Sequence, residues 1–126
     1  MATSPHELVL EAKACIKEVT TEGAQLALFQ RVVIDVREPE EVALGHLPGA
    51  LCIPRGVLEF KIGTLPQTKE TATPILLYCR SGGRSALAAV QLQKLGYTQV
   101  VSMAGGFDAW SAEGRQADKP APISFE

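Results

Sequence analysis

The chain has 126 residues, 46% of them hydrophobic and 21% charged, with 12 Lys+Arg against 14 Asp+Glu for a net charge of −2. That is one globular domain with an ordinary core of its own, and not a disordered chain. The charge excludes the basic footprint of a nucleic-acid binder, no apolar run approaches the roughly 20 residues of a membrane span, and 3 cysteines without a Cys-x-x-Cys pair give neither a complete disulfide framework nor zinc spacing.

Ser4-Pro5-His6-Glu7 reads as a capping box that starts an amphipathic helix. Leu8, Ala12, Cys15, Ile16 and Val19 follow at helical spacing and extend it to residue 19. Glu7, Glu11, Lys13 and Lys17 interrupt its apolar residues, so it has no h-region of a secretory signal, and a reducing cytoplasm is the expected compartment. A second short helix is expected over Gly23–Gln30. Val32–Val36 (VVIDV) is a β-branched run of the kind buried on both faces of a parallel sheet. Pro39 among acidic residues opens a brief helix that Gly45 ends. Leu47-Pro48-Gly49 is a tight turn, Ala50–Ile53 a second strand stopped by Pro54, and Val57–Ile62 a helical segment.

Gly63–Thr73 reads as a surface loop. Ile75–Tyr78 (ILLY) is the third core strand, Cys79–Gly83 a loop, and Ser85–Leu95 a strong helix that Gly96 terminates. Val100–Met103 is another strand, Gly105-Gly106 breaks the chain before a short helix near Phe107–Ala112, and Gln116–Glu126 is an extended tail. Strands alternating with helices give an α/β domain whose central sheet is mostly parallel and flanked by helices.

The chemistry is expected in Cys79-Arg80-Ser81-Gly82-Gly83-Arg84-Ser85, between a buried strand and a good helix. Ligands of open α/β sheets bind there, beyond the carboxyl ends of the strands. Gly82 and Gly83 let the backbone curl so that its N–H groups form an anion nest, to which the following helix adds its positive end. Arg80 and Arg84 add two charges, with no carboxylate between Tyr78 and the end of that helix. Helix N-termini and nearby arginines favour thiolate over thiol, so Cys79 is a candidate nucleophile toward an anionic or sulfur-bearing substrate. The bland alternative is a buried, inert cysteine at a strand end.

The sequence resembles the single-domain rhodaneses, a sulfurtransferase family, over about residues 20–112. Val33-Ile34-Asp35-Val36-Arg37 with Glu41 is similar to the family's first-strand signature, and Gly45-His46-Leu47-Pro48-Gly49-Ala50 to its N-terminal motif. Cys79 to Arg84 matches its six-residue active-site loop, and Gly105-Gly106-Phe107-Asp108-Ala109-Trp110 its C-terminal motif. The resemblance implies a three-layer rhodanese-like domain at 20–113, with an N-terminal helical extension at 1–19 and an extended tail at 114–126. It implies a catalytic Cys79 that takes the sulfane sulfur of a small anionic donor such as thiosulfate as a persulfide. The sulfur then passes to cyanide, a thiol or a protein thiol. The N–H groups of Ser81, Gly82 and Gly83 would stabilise the persulfide, and Arg80 and Arg84 would hold the donor. No metal and no organic cofactor is called for.

Two rivals stand beside this reading. A phosphatase or arsenate reductase of the same fold has Cys-x5-Arg, whereas four residues, Arg80 to Gly83, separate Cys79 from Arg84 here. A catalytically silent rhodanese module for partner binding or redox sensing would be expected to lose the nucleophile. Among other residues, Asp35 and Arg37 read as a structural ion pair rather than an acid/base pair. His46 reads as a backbone-bonding turn residue, and Trp110 and Phe107 as packing. Cys15 and Cys52 read as core residues, with a resolving role for Cys52 dependent on spatial closeness. Arg55, after Pro54 at a strand's carboxyl end, either lines the crevice of Cys79 and binds substrate or is an ordinary solvated arginine.

Overall fold

The computed structural model describes residues 2–120. Ser4 caps helix α1 (Pro5–Cys15) through a complete capping box with Glu7. The helix is shorter than the apolar spacing suggests. The chain straightens at Ile16, and Lys17–Val19 form strand β1, which pairs in parallel with β5. Three half-polar residues carry no period of their own to distinguish strand from helix; pairing with β5 defines the strand. Thr20 caps α2 (Thr21–Leu26), which begins and ends earlier than expected. The remaining elements are β2 (Val32–Asp35), α3 (Pro39–Val42), β3 (Leu51–Cys52), a 3-10 turn (Arg55–Val57) running into α4 (Leu58–Lys61), β4 (Ile75–Tyr78), α5 (Gly83–Lys94), β5 (Val100–Met103) and α6 (Gly106–Ala112).

The five strands lie in the order β1-β5-β4-β2-β3, every pairing parallel. Parallel neighbours need crossover connections, and these cover both faces. Ile34, Ile75, Leu77 and Val100 face α4 and α5 in one core cluster with Leu58, Ile62, Ala88, Ala89 and Leu92. The alternate residues Val33, Leu76, Tyr78, Val101 and Met103 face α2 and α6, with Trp110 and Leu28. All four residues of β4 and of β5 are buried, which explains their nearly unbroken apolar runs. Helix α1 lies on α5, its Val9 against Gly83 and its Cys15 carbonyl accepting from Gln93 Nε2 at 3.2 Å.

Several local expectations change. The 63–73 segment is not wholly a surface loop: Thr68 is fully buried, its hydroxyl donating to Ile62 O at 2.7 Å and its carbonyl accepting from Tyr97 at 2.6 Å. Cys15 and Cys52 are exposed rather than core residues. Cys15 is the last residue of α1, where the helix gives way to β1, and Cys52 lies in a two-residue strand at the sheet edge. In the tail, Asp118 exchanges both backbone hydrogen bonds with His46, at 2.8 and 2.9 Å, and Trp110 Nε1 donates to Gln116 O. Residues 121–126 of the tail lie outside the described residues.

Candidate active site

Strand β4 ends at Tyr78, so Cys79 is the first residue beyond the carboxyl edge of the sheet. Its neighbours there are β2 on one side and β5 on the other. The chain then curls into α5 through Gly82, which takes the left-handed conformation at φ 107°, where a side chain is strained. The curl brings backbone donors onto sulfur. Cys79 Sγ accepts from Gly82 N at 3.1 Å and from Ser85 N at 3.4 Å. Of the expected trio of amides only Gly82 bonds Sγ; Ser85, in the first turn of α5, is the second donor. The Ser85 hydroxyl lies 3.6 Å from Sγ and 2.8 Å from the Ser102 hydroxyl of β5, with all three residues buried.

Helix α6 holds the loop from below. Phe107 N donates to Cys79 O at 2.8 Å and Asp108 N to Arg80 O at 2.9 Å. This seating needs glycine at 106: at φ 57° a Cβ there would lie 2.5 Å from both of those carbonyl oxygens. The Gly105-Gly106 pair therefore serves the shape of the cysteine loop from another part of the chain.

The charges are less free than the sequence suggests. The loop and α5 carry no carboxylate, but the fold supplies one to each arginine. Glu41 of α3 binds Arg84 through two bonds of 2.7 and 2.9 Å, and Asp108 lies 3.4 Å from Arg80. Arg84 holds the Glu41 carboxyl down to about 2. Lys13 of α1 is a third cation beside the loop. Its Nζ lies 3.9 Å from where a Cβ on Gly82 would be and 3.8 Å from Glu18. Arg55 is bound by Glu59 at 2.9 Å, and among the described residues no hydrogen bond or ion pair links it to the loop. A cleft of about 340 Å³ opens beside Arg80, lined by Arg37, Glu41, Leu44, Phe107 and Asp108.

Asp35 and Arg37 form a buried pair whose guanidinium also donates to Gly45 O at 2.7 Å. Burial opposes the charge on Arg37, but the hydrogen bonds and charge of Asp35 outweigh it. His46 Nδ1 meets Leu47 O at 2.8 Å, a backbone contact of the turn. Cys52 is in register with Asp35, and Asp35 with Tyr78. Side chains alternate across a sheet, so Cys52 projects from the face opposite Cys79, two strands away. The structure does not bring these two sulfurs together. Partial burial, aided by the Asp35 carboxylate, pushes the Cys52 thiol up.

Ser85 and Ser102 are the site residues that sequence reasoning missed. A signal for Ser102 was present: a serine inside VVSM, a strand with no exposed residue, must satisfy its hydroxyl internally. Among the described residues, no group of three or more His, Cys, Asp or Glu side chains could hold a metal ion, and no helix is long and apolar enough to cross a membrane.

Comparison with known proteins locates this arrangement. The rhodanese-like domain matches residues 18–113. A sulfurtransferase of Allochromatium vinosum is 34% identical over 83 residues, covering 66% of this chain and 74% of that protein. The structure of a Rhodopseudomonas palustris protein of unknown function, RPA3614, described as a possible tyrosine phosphatase, superposes with a TM-score of 0.83 at 32% identity, covering 94% of this chain and 96% of that one. The human single-domain sulfurtransferase TSTD1 superposes with a TM-score of 0.70 at 27% identity, covering 76% and 96%.

Proposed function

The chain belongs to the rhodanese-like domain family, and from that premise we propose that it transfers sulfane sulfur through a persulfide on Cys79. The observation that carries this reading is the Cys79 sulfur at the carboxyl edge of the sheet, held by the amides of Gly82 and Ser85. Two inward backbone donors meet the negative charge that sulfur carries as the attacking thiolate or as a persulfide. With thiosulfate, the Cys79 thiolate attacks the outer sulfur. The new Sγ–S bond forms as the donor's S–S bond breaks, and sulfite leaves with the electron pair. A thiol or cyanide acceptor then attacks the terminal sulfur and Cys79 departs as thiolate, so the cycle needs no outside oxidant or reductant. Arg80, Arg84, Ser81, Gly82 and Gly83 bind the anionic donor. Arg84 does so by exchanging Glu41 for it, since that carboxylate occupies its guanidinium. Arg55 would bind substrate only by giving up Glu59, the carboxylate that holds its guanidinium. Donor, acceptor and enzyme meet in a reducing cytoplasm.

The kinship with a possible tyrosine phosphatase gives the phosphatase reading a hearing. Loop size speaks against it. Phosphoryl transfer needs donors around three equatorial oxygens and an in-line leaving group, whereas a persulfide needs one sulfur surrounded. With four residues between Cys79 and Arg84 the ring is one short of the phosphatase pattern.

One preparation tests both. After thiosulfate, the intact protein should gain the mass of one sulfur, mapped to the Cys79 peptide, and lose it to cyanide or a thiol. Cys79→Ser should abolish adduct and turnover while Cys15→Ser and Cys52→Ser retain them. Absence of the adduct would leave a silent binding module, and aryl-phosphate hydrolysis that exceeds sulfur transfer and disappears with Cys79→Ser would establish the phosphatase.

A further inference from the structure

The Ser85 hydroxyl has one proton and three neighbours. It meets Cys79 Sγ at 3.6 Å, Gly82 O at 3.3 Å and Ser102 Oγ at 2.8 Å. Both serines are fully buried, so no water completes their bonding from outside. While Cys79 is a thiol, its S–H donates to Ser85 Oγ and the Ser85 proton goes to Gly82 O or to Ser102. Once the sulfur has lost its proton it only accepts. The Ser85 proton then has a negatively charged acceptor in Sγ, and when it turns there Ser85 Oγ becomes an acceptor for Ser102. Hydrogen bonds in such a chain polarise one another, and the low dielectric of a buried site strengthens each.

We propose that Ser102 is a positioning residue for the sulfur-transfer reaction: by donating to Ser85 it turns the Ser85 hydroxyl onto the Cys79 sulfur whenever that sulfur is anionic. The pair supplies a donor that follows the charge state of the nucleophile, beside two amides that do not move. This rests on Cys79 as the nucleophile of the proposed function and goes beyond it, since Ser102 sits on β5 and touches no reacting atom. The charged groups around the loop come from its own arginines and from the elements packed beside it. They are Arg84 with Glu41 of α3, Arg80 with Asp108 of α6, and Lys13 of α1 with Glu18 of β1. Among the described residues none of them hydrogen-bonds either serine hydroxyl, so changes at the serines leave those charges in place.

The test follows iodoacetamide alkylation of the Cys79 peptide across pH, in wild type, Ser85→Ala, Ser102→Ala and the double variant, with thermal melts as a check on folding. Ser85→Ala should slow thiosulfate turnover roughly tenfold, the low end for a hydrogen bond to a charged atom, and raise the pH of half-reaction by about one unit, the equivalent of that factor. Ser102→Ala should raise the half-reaction pH by about half as much, and in the Ser85→Ala background should add nothing. Ser102→Thr, which keeps a hydroxyl, should return the profile to that of wild type. An unmoved profile in Ser102→Ala, a shift that persists without Ser85, or a threonine variant that behaves like alanine overturns the proposal. Alkylation does not depend on turnover: shifts that appear in a protein with no sulfur adduct would sink the transferase reading and keep the serine pair.

Discussion

Two arginine–carboxylate pairs of this molecule have nearly the same bond lengths and different surroundings. Arg37 meets Asp35 at 2.8–3.1 Å, with side chains 5% and 0% exposed; Arg84 meets Glu41 at 2.7 and 2.9 Å, with side chains 37% and 30% exposed. Bond length therefore says little about what each pair does. Arg37 has no water to fall back on. It also bonds Gly45 O and lies 4.5 Å from the centre of the Phe107 ring, so it fixes the end of β2 to the 45–47 turn and to α6. Losing one member of a buried pair strands the other charge in a low dielectric. Arg84 and Glu41 can trade each other for water or for an anion at small cost. The first pair is a structural pin, and the second is exposed enough to exchange partners, as the proposed binding of a donor by Arg84 requires.

Breaking the buried pair should have the largest effect. Arg37→Ala should lose roughly 3–5 kcal/mol of stability in urea or thermal unfolding, and a loss under about 1 kcal/mol would mean that the two pairs are equivalent. The exposed pair should divide the other way. Glu41→Gln should cost less than about 1 kcal/mol yet lower the KM for thiosulfate several-fold by releasing Arg84, an effect that fades with added salt as exposed charges are screened. A KM that rises instead would make Glu41 part of the donor site.

The smallest expected effect is a pH dependence. Glu41 ionises at about 2 in the folded chain against an ordinary 4.5, so its folded form binds the proton less readily than the unfolded form. Its stabilisation is therefore complete above the unfolded value and is lost as pH falls from about 4.5 toward 2. The melting-temperature gap between wild type and Glu41→Gln should stay constant from neutrality to about pH 4.5 and close below it. A gap that does not close there would show that the pair is absent in solution.

Much of the site was legible in the chain because its instructions are local. The apolar runs ILLY and VVSM mark strands buried on both faces, and a cysteine, two arginines and two glycines between a strand and a helix mark a backbone curl with inward amides. The Asp35–Arg37 pair was also readable, since residues two apart on one strand end share a face. Gly105-Gly106 was visible as a break, but its purpose was not: that depends on the Cys79 and Arg80 carbonyls lying where a Cβ would go.

The sequence by itself determined the α/β class, the main strands, the family resemblance and the nucleophile candidate, because periodicity and turn chemistry act over a few residues. Tertiary structure alone decided that Lys17–Val19 is an edge strand, that Cys15 and Cys52 are exposed, and that Cys52 faces away from Cys79. It also decided the charge balance and the second layer of the site. Glu41 reaches Arg84 across 43 positions and Ser102 reaches Ser85 across 17. Such pairings are set by sheet register and helix packing. Moving a strand by one residue would turn Ser102 to the opposite face while leaving every local signal in the chain unchanged.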